Sequence, residues 1–215
     1  MTSIYLIRHA QSQGNLSRRF QGRLDTPLTE LGQKQARAVG LRFRAIPLHA
    51  VYASPLIRAM QTAQAIADVH GLRVSACDDM IEMRGGAMEN MAIAQLQRDH
   101  PQQFSMFDAR PHLFEGLGDA EPIIQVYERA VRAIDTLVAA HPGQNVAVVS
   151  HGLPIRCCAC HARGATFEQL GQTLWAKNTG VYHITYHEGA VIMHRENDLS
   201  HLGDDLGAQE WGSTV

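Results

Sequence analysis

No stretch of this 215-residue chain is apolar for long enough to span a membrane, and the opening Met1-Thr2-Ser3-Ile4 lacks the basic region, apolar core and small-residue cleavage site of an export signal. Charge of one sign is missing too. The 19 Lys and Arg residues against 21 Asp and Glu give a formal net charge of -2, which argues against a broad electrostatic footprint for nucleic acid or an anionic membrane but allows a local basic pocket. Internal repeats, low-complexity tracts and domain linkers are absent. The four cysteines, Cys77, Cys157, Cys158 and Cys160, sit in a chain of ordinary domain size that needs no disulfide framework. Together these absences predict a single globular domain over residues 1–215 in a reducing cytoplasm, with neither nucleic acid nor membrane as partner.

What is present begins with an apolar run, Ser3-Ile4-Tyr5-Leu6-Ile7, that delivers Arg8-His9 into a small polar loop stopped by Gly14 and Asn15. Such a run suits a strand covered on both faces. Near the other end, Asn145 to Ser150 runs in the same way into His151-Gly152. Ligands of open α/β sheets bind beyond the carboxyl ends of strands, so two histidines distant in sequence are expected to converge there. Either histidine alone would be an ordinary polar group at a strand end. A strand over 49–53 leads into Ser54-Pro55, read as a helix start with Ser54 as cap and Pro55 in the first position. That start brings Arg58 and free backbone amides to the same crevice; by itself Arg58 would be read as part of a solvated helix face.

The remaining elements are read coarsely. Thr29 is placed to cap a helix over 29–44 with Ala36, Val39, Gly40 and Phe43 as its apolar stripe. A short strand over 73–77 is followed by Glu82 and a Gly-rich loop. A helix over 90–100 ends at Pro101, and 102–122 is less regular, so that 85–122 is a natural substrate-covering insertion. An amphipathic helix follows Pro122, with Tyr127, Ala130, Val131, Ile134, Leu137 and Val138 as its stripe, stopping near His141. Another begins at Pro154 and closes at Gly164, and a hairpin over 181–186 and 190–194 turns at Glu188-Gly189.

These residues resemble the histidine phosphatase superfamily, in its phosphoglycerate-mutase-like branch, whose signature is an Arg-His-Gly motif with a downstream Asn. Here it stands as Arg8-His9-Ala10-Gln11-Ser12-Gln13-Gly14-Asn15. Further ordered matches are Leu28-Thr29-Glu30-Leu31-Gly32, Ser54-Pro55-Leu56 with Arg58-Ala59, and Ser150-His151-Gly152. The resemblance implies a doubly wound three-layer α/β sandwich with a mostly parallel sheet and a catalytic pocket at the strand ends. It implies a phosphomonoester hydrolase, acting through a phosphohistidine on His9 with no metal or other cofactor. Arg8, Arg58 and His151 would neutralise phosphate charge, Glu82 would protonate the leaving oxygen, and Ser12, Asn15, Gln21, Gly22 and Gly152 would surround the phosphate. The tail over 197–202 resembles that of phosphatase-like relatives, where it closes the fold.

The match has departures. Ala10 replaces the usual glycine, Ala87-Met88-Glu89-Asn90 stands where many relatives carry Trp-Glu-Gly, and Gly118-Asp119-Ala120-Glu121 only loosely echoes a Gly-Gly-Glu-Ser pattern. The substrate is thus a small phosphorylated metabolite of unspecified identity. The first alternative is a phosphoglycerate mutase-type phosphotransferase, disfavoured because 83–91 is short and lacks the basic and aromatic enrichment of a mutase insertion. The second is a catalytically weak phospho-ligand binding or regulatory protein, against which His9 and Glu82 stand together. Cys157-Cys158-Ala159-Cys160-His161 literally matches a haem-attachment pattern, but on a helix after His151 its cysteines suit core packing better, and neither haem nor zinc is assigned. His183, His187, His194 and His201 are assigned to no metal. Homodimerisation is allowed, although no interface pattern marks it.

Overall fold

The amino-terminal run forms β1 (Thr2–Arg8), whose alternate residues are buried on opposite sides of a sheet. Ile4 and Leu6 enter one core cluster, Tyr5 and Ile7 the other. This two-sided burial is why the strand reads as a continuous apolar run instead of alternating with polar residues. The computed structural model describes residues 1–207 of the chain. Among them, β1 is joined by β2 (Ala50–Ala53), β3 (Val74–Ala76), β4 (Asn145–Ser150), β5 (Val181–His187) and β6 (Ala190–Asp198). They form one six-stranded sheet in the order β3-β2-β4-β1-β5-β6. The first four positions in that order are parallel, and β5 and β6 are antiparallel additions.

The helices are α1 (Gln13–Leu16), α2 (Glu30–Phe43), α3 (Ile57–Asp68), α4 (Ile93–Asp99), α5 (Pro101–Ala109), α6 (Ile123–Ala140), α7 (Gly152–Ala162) and α8 (Asp204–Gly207). Val39 and Phe43 of α2, with Ala59, Ala63 and Ile66 of α3, cover the Tyr5 and Ile7 face. Val126, Ala130 and Ile134 of α6, with Leu153 and Cys157 of α7, cover the Ile4 and Leu6 face. The result is the three-layer α/β arrangement that the sequence implied. No helix among the described residues is long and apolar enough to cross a membrane.

Several local expectations are met for the anticipated reasons. Thr29 Oγ1 accepts a 2.9 Å bond from the Gly32 amide and caps α2. The β5–β6 hairpin turns through Glu188 and Gly189, both at positive φ (48° and 81°), the pair of left-handed residues that a two-residue hairpin loop demands. Cys157, Cys158 and Cys160 are buried free thiols on α7, and burial pushes the Cys157 and Cys158 thiols well up from their ordinary range. They pack as core residues.

Other expectations need correction. The helix after β2 starts at Ile57, not Pro55, with Leu56 in the cap position and no cap from its own side chain. The Ile57 amide instead donates to Asp25 Oδ1 at 2.7 Å, a cap supplied from a distant loop, while Ser54 Oγ accepts a weak 3.4 Å bond from the Leu56 amide and lies 2.6 Å from His151 Nε2. The helix read over 90–100 begins only at Ile93. Pro101, expected merely to end it, is also the first residue of α5, so 101–109 is helical where an irregular segment was expected. Proline lacks only an amide that the first turn would leave unpaired, so one residue serves as both stop and start. Helix α7 begins at Gly152, two residues before Pro154. On α6 the buried stripe is Ile123, Val126, Arg129, Ala130, Ala133, Ile134 and Leu137. Tyr127, Val131 and Val138 are only half-buried at its margins.

Candidate active site

The convergence of the two histidines follows from strand register. In the parallel β1–β4 pair, Arg8 lies opposite Ser150, and the His9 amide continues the ladder with a 2.9 Å bond to the Ser150 carbonyl. His9 and His151 therefore leave the sheet side by side, their rings 5.2 Å apart between centroids. The cavity beyond them has a volume of about 490 Å³. Arg8, His9, Arg58 and Glu82 line it, as do Asn15, Gln21, Gly22 and Gly152.

His9 is 2% exposed, and its Nδ1 lies 2.7 Å from the Ala10 carbonyl oxygen. A carbonyl only accepts, so Nδ1 carries the proton and Nε2 keeps its lone pair. Burial lowers the His9 pKa well below the usual histidine range, and the Arg58 and Arg8 charges depress it further, against a smaller opposing effect of the Ala10 bond. At neutral pH the ring is neutral. His151 is fully buried and does not reach the cavity surface; its Nε2 is taken by Ser54. Its Nδ1 has no hydrogen-bond partner among the described residues. Burial, followed by Arg58 and His9, holds its pKa well below the ordinary value as well.

Arg58 lies in the first turn of α3 and is 1% exposed. Two of its nitrogens donate to the Leu24 and Gly22 carbonyls at 2.6 and 2.9 Å. Burial brings its pKa down to about 10, with Glu82 and Asp25 opposing the shift; it remains a cation at neutral pH. Arg8 donates to the Ala176 carbonyl at 2.5 Å. Gly22 has φ of +50°, and a Cβ there would overlap the Glu89 carboxylate, so this turn of the loop admits glycine alone without strain. Glu89 Oε1 in turn accepts from the Arg23 and Gly85 amides, both at 2.9 Å, joining the loop after α1 to the loop after Glu82.

Ser12, expected beside the phosphate, does not line the cavity. It caps α1 instead: its hydroxyl accepts from the Asn15 amide at 3.3 Å, and it faces Asn15 Oδ1 and Gln21 Oε1 at 3.0 and 2.8 Å. Its contribution is to orient the two amides that do line the wall. Thr26 Oγ1 adds a 2.8 Å bond to Gln21 Oε1.

Glu82 accepts a 2.8 Å bond from the Met83 amide at Oε1. Burial raises its pKa, opposed by that bond and by the charges of Arg58, Arg129 and Arg8. The segment around it is held by an ion pair that sequence reasoning missed. Arg129 of α6 and Glu121 are each 8% exposed and pair through two bonds of 2.9 and 3.1 Å. Arg129 Nη1 also donates to the Asp79 and Ile81 carbonyls at 2.7 and 2.5 Å. Glu121 Oε2 accepts from the Arg84 amide at 3.1 Å, and the Glu121 amide donates to the Arg84 carbonyl at 2.8 Å. Burial alone would raise the Glu121 pKa, but the Arg129 bonds and charge outweigh it and keep the carboxyl ionised. The backbone is thus gripped on both sides of Glu82. The available signal was Arg129 itself, a charged residue interrupting the apolar stripe of α6.

Asn178 was also missed. It precedes β5 and donates from Nδ2 to the His9 carbonyl at 2.9 Å. Arg156 of α7, Trp175 and Lys177 line the cavity as well, and no motif marked them. Among the described residues, no group of three or more His, Cys, Asp or Glu side chains could hold a metal ion.

Residues 4–199 match the sequence model of the histidine phosphatase superfamily, branch 1. Phosphoserine phosphatase 1 of Hydrogenobacter thermophilus is 31% identical over 204 residues, which span 95% of this chain and 96% of that one. A Yersinia pestis protein named probable phosphoglycerate mutase GpmB is 28% identical over 212 residues, 94% of this chain and 95% of its own. Among solved structures, YhfR of Bacillus stearothermophilus superposes with a TM-score of 0.87 at 29% identity, covering 94% of this chain and 99% of that one.

Proposed function

Because the chain belongs to branch 1 of the histidine phosphatase superfamily, we propose that it hydrolyses phosphomonoesters of small metabolites through a phosphohistidine on His9. The observation that carries this reading is the 2.7 Å contact of His9 Nδ1 with the Ala10 carbonyl, which puts the proton on Nδ1 and leaves the Nε2 lone pair free within the field of Arg58 and Arg8. A neutral imidazole attacks phosphorus in line with the leaving oxygen. As the Nε2–P bond forms and the P–O bond breaks, Glu82 gives its proton to the departing alkoxide. Arg8 and Arg58 balance the charge on the equatorial oxygens, and His151, its ring 5.2 Å from that of His9 between centroids, supports the nucleophile from outside the cavity surface. Glu82, now a carboxylate, then takes a proton from the water that attacks the phosphohistidine, releasing inorganic phosphate and restoring both groups. The raised Glu82 pKa suits the first of these steps, because it keeps the carboxyl protonated to higher pH.

The segment over 85–122 covers the leaving-group side of the cavity, to which it contributes Ile93, Phe107 and Asp108. The test of this function is phosphate release from a panel of phosphomonoesters with chelator present. Undiminished release into water is expected. Phosphate passing from a bisphosphate to a monophosphate acceptor faster than to water would replace the reading with that of a mutase.

The grip on Glu82 makes Glu121 and Arg129 positioning residues for the acid. Glu121→Gln retains the shape but weakens the pairing, and it is expected to lower kcat on an alkyl phosphate roughly 10- to 100-fold. An activated aryl phosphate, whose leaving group departs without a proton, should lose much less. Arg129→Lys is expected to fall between the wild type and Glu121→Gln in this ratio. A simple loss of stability would lower both rates together.

A further inference from the structure

We propose that the leaving-group half of the cavity is a platform for a flat, uncharged aromatic group, so that arylmethyl and aryl phosphates are preferred over phosphates whose leaving group carries a carboxylate or ammonium. This inference rests on the phosphatase reading above. The platform is built on Trp175. Its indole N–H donates to Asp108 Oδ1 at 2.7 Å, and the Arg156 guanidinium carbon stands 4.4 Å from the ring centroid. One bond and one stacked cation therefore hold the ring in place. Phe107 extends the wall, 5.4 Å from Trp175 at an interplanar angle of 30°, and Phe20 lies a further 5.5 Å beyond Phe107.

The position of this wall relative to the chemistry is set by Gly152. A Cβ at that glycine would lie 3.3 Å from Trp175 Cε3 and 4.0 Å from Glu82 Oε2. The ring and the acid flank the same bare backbone, so the platform begins where the leaving oxygen receives its proton. Met83, Ile93 and Leu153 also line the cavity, as does Leu174, which is 67% exposed.

The Arg156 and Asp108 side chains of this half are held largely by the protein itself. Arg156 donates from Nε to the Thr173 carbonyl at 2.7 Å and from Nη2 to the Asp108 and Gly171 carbonyls at 2.9 and 3.0 Å. Its Nη1 is buried and offers no surface to a ligand. Asp108 Oδ1 is taken by the indole. A charged leaving group seated against the Trp175 and Phe107 rings would exchange its water for apolar surface, which disfavours it. The cations Arg19 and Lys177 line the cavity as exposed residues, and Arg19 also donates to the Asn90 carbonyl.

Phosphonates, in which carbon replaces the bridging oxygen, test the platform without turnover. Calorimetry should show 2-naphthylmethylphosphonate binding roughly 10- to 100-fold more tightly than propylphosphonate, and more tightly than 2-amino-4-phosphonobutanoate, the isostere of phosphoserine. In Trp175→Ser the first ratio should fall to within a few-fold. Equal affinities in the wild type, or tightest binding of the amino acid, would overturn the proposal whatever the variant does. Hydrolysis of the corresponding esters separates the two readings. Preferred aromatic binding with no ester hydrolysed would leave the platform standing and remove the phosphatase, whereas hydrolysis with equal phosphonate affinities would do the reverse.

Discussion

Replacing His9 by alanine is expected to lower phosphate release by at least about 10⁴-fold, the scale on which loss of a covalent nucleophile abolishes turnover. His151 is the nearest imidazole, but its Nε2 is engaged by Ser54, and the ring is buried behind His9. Substitution by alanine also removes a buried neutral ring with a depressed pKa. Such a group stabilises the fold above its unfolded pKa, near 6.5, and that contribution is lost as pH falls through the lower folded value. The melting temperature of His9→Ala should therefore compare best with that of the wild type at acid pH. Steady-state phosphate release, with circular dichroism as the control for folding, decides the matter. A variant that folds and retains more than about a hundredth of wild-type turnover would show that His9 is not the nucleophile.

Glu82→Gln is expected to slow hydrolysis of alkyl phosphates roughly 100- to 10,000-fold, within the range for a positioned general acid. Phosphorylation of His9 by an activated aryl phosphate should be much less affected. Two pH effects accompany the substitution, and their signs differ from those at His9. Activity that needs the protonated carboxyl is present below the raised Glu82 pKa and lost as pH rises through it, so the wild type should show a basic limb that the variant lacks. The same raised pKa destabilises the fold as pH climbs above the unfolded value of about 4.5, because the folded state holds the proton more tightly. Glutamine keeps the acceptor for the Met83 amide without the buried charge. Its melting temperature should match the wild type at low pH and exceed it at neutral pH, a gain in stability at the expense of activity. A stability gain of the same size at every pH, or equal slowing of both esters, would mean that Glu82 is not the acid.

How much of this was legible in the chain differs from residue to residue. Arg8, His9, Ser150 and His151 were legible because each pair follows an apolar run, and buried parallel strands announce themselves by composition. The hairpin at Glu188-Gly189 and the Thr29 cap were legible because their signals lie within three residues of the groups they satisfy. Ser54 was misread for the opposite reason. Its Oγ does accept a 3.4 Å bond from the Leu56 amide, but its shorter contact is with His151, 97 positions away, and Asp25 caps the first helical amide, that of Ile57.

Motif resemblance pointed to the family, and local pattern by itself determined the strands, most helices and the carboxyl-end location of the histidines. These depend on burial periodicity and near-neighbour hydrogen bonding, and both repeat along the chain. Only the tertiary structure decided which side chains line the cavity, which merely support those that do, and what shape the rest of the cavity takes. Ser12 became a cap behind the wall, Arg129 and Glu121 became the grip on Glu82, and Asn178 reached the His9 carbonyl across 169 positions. Arg156 and Trp175, from neighbouring elements, stacked into a surface beside Gly152. A hydrogen bond or ring contact depends on a few ångströms in space, and a separation of tens of residues along the chain carries no record of that distance until the sheet register and helix packing set it.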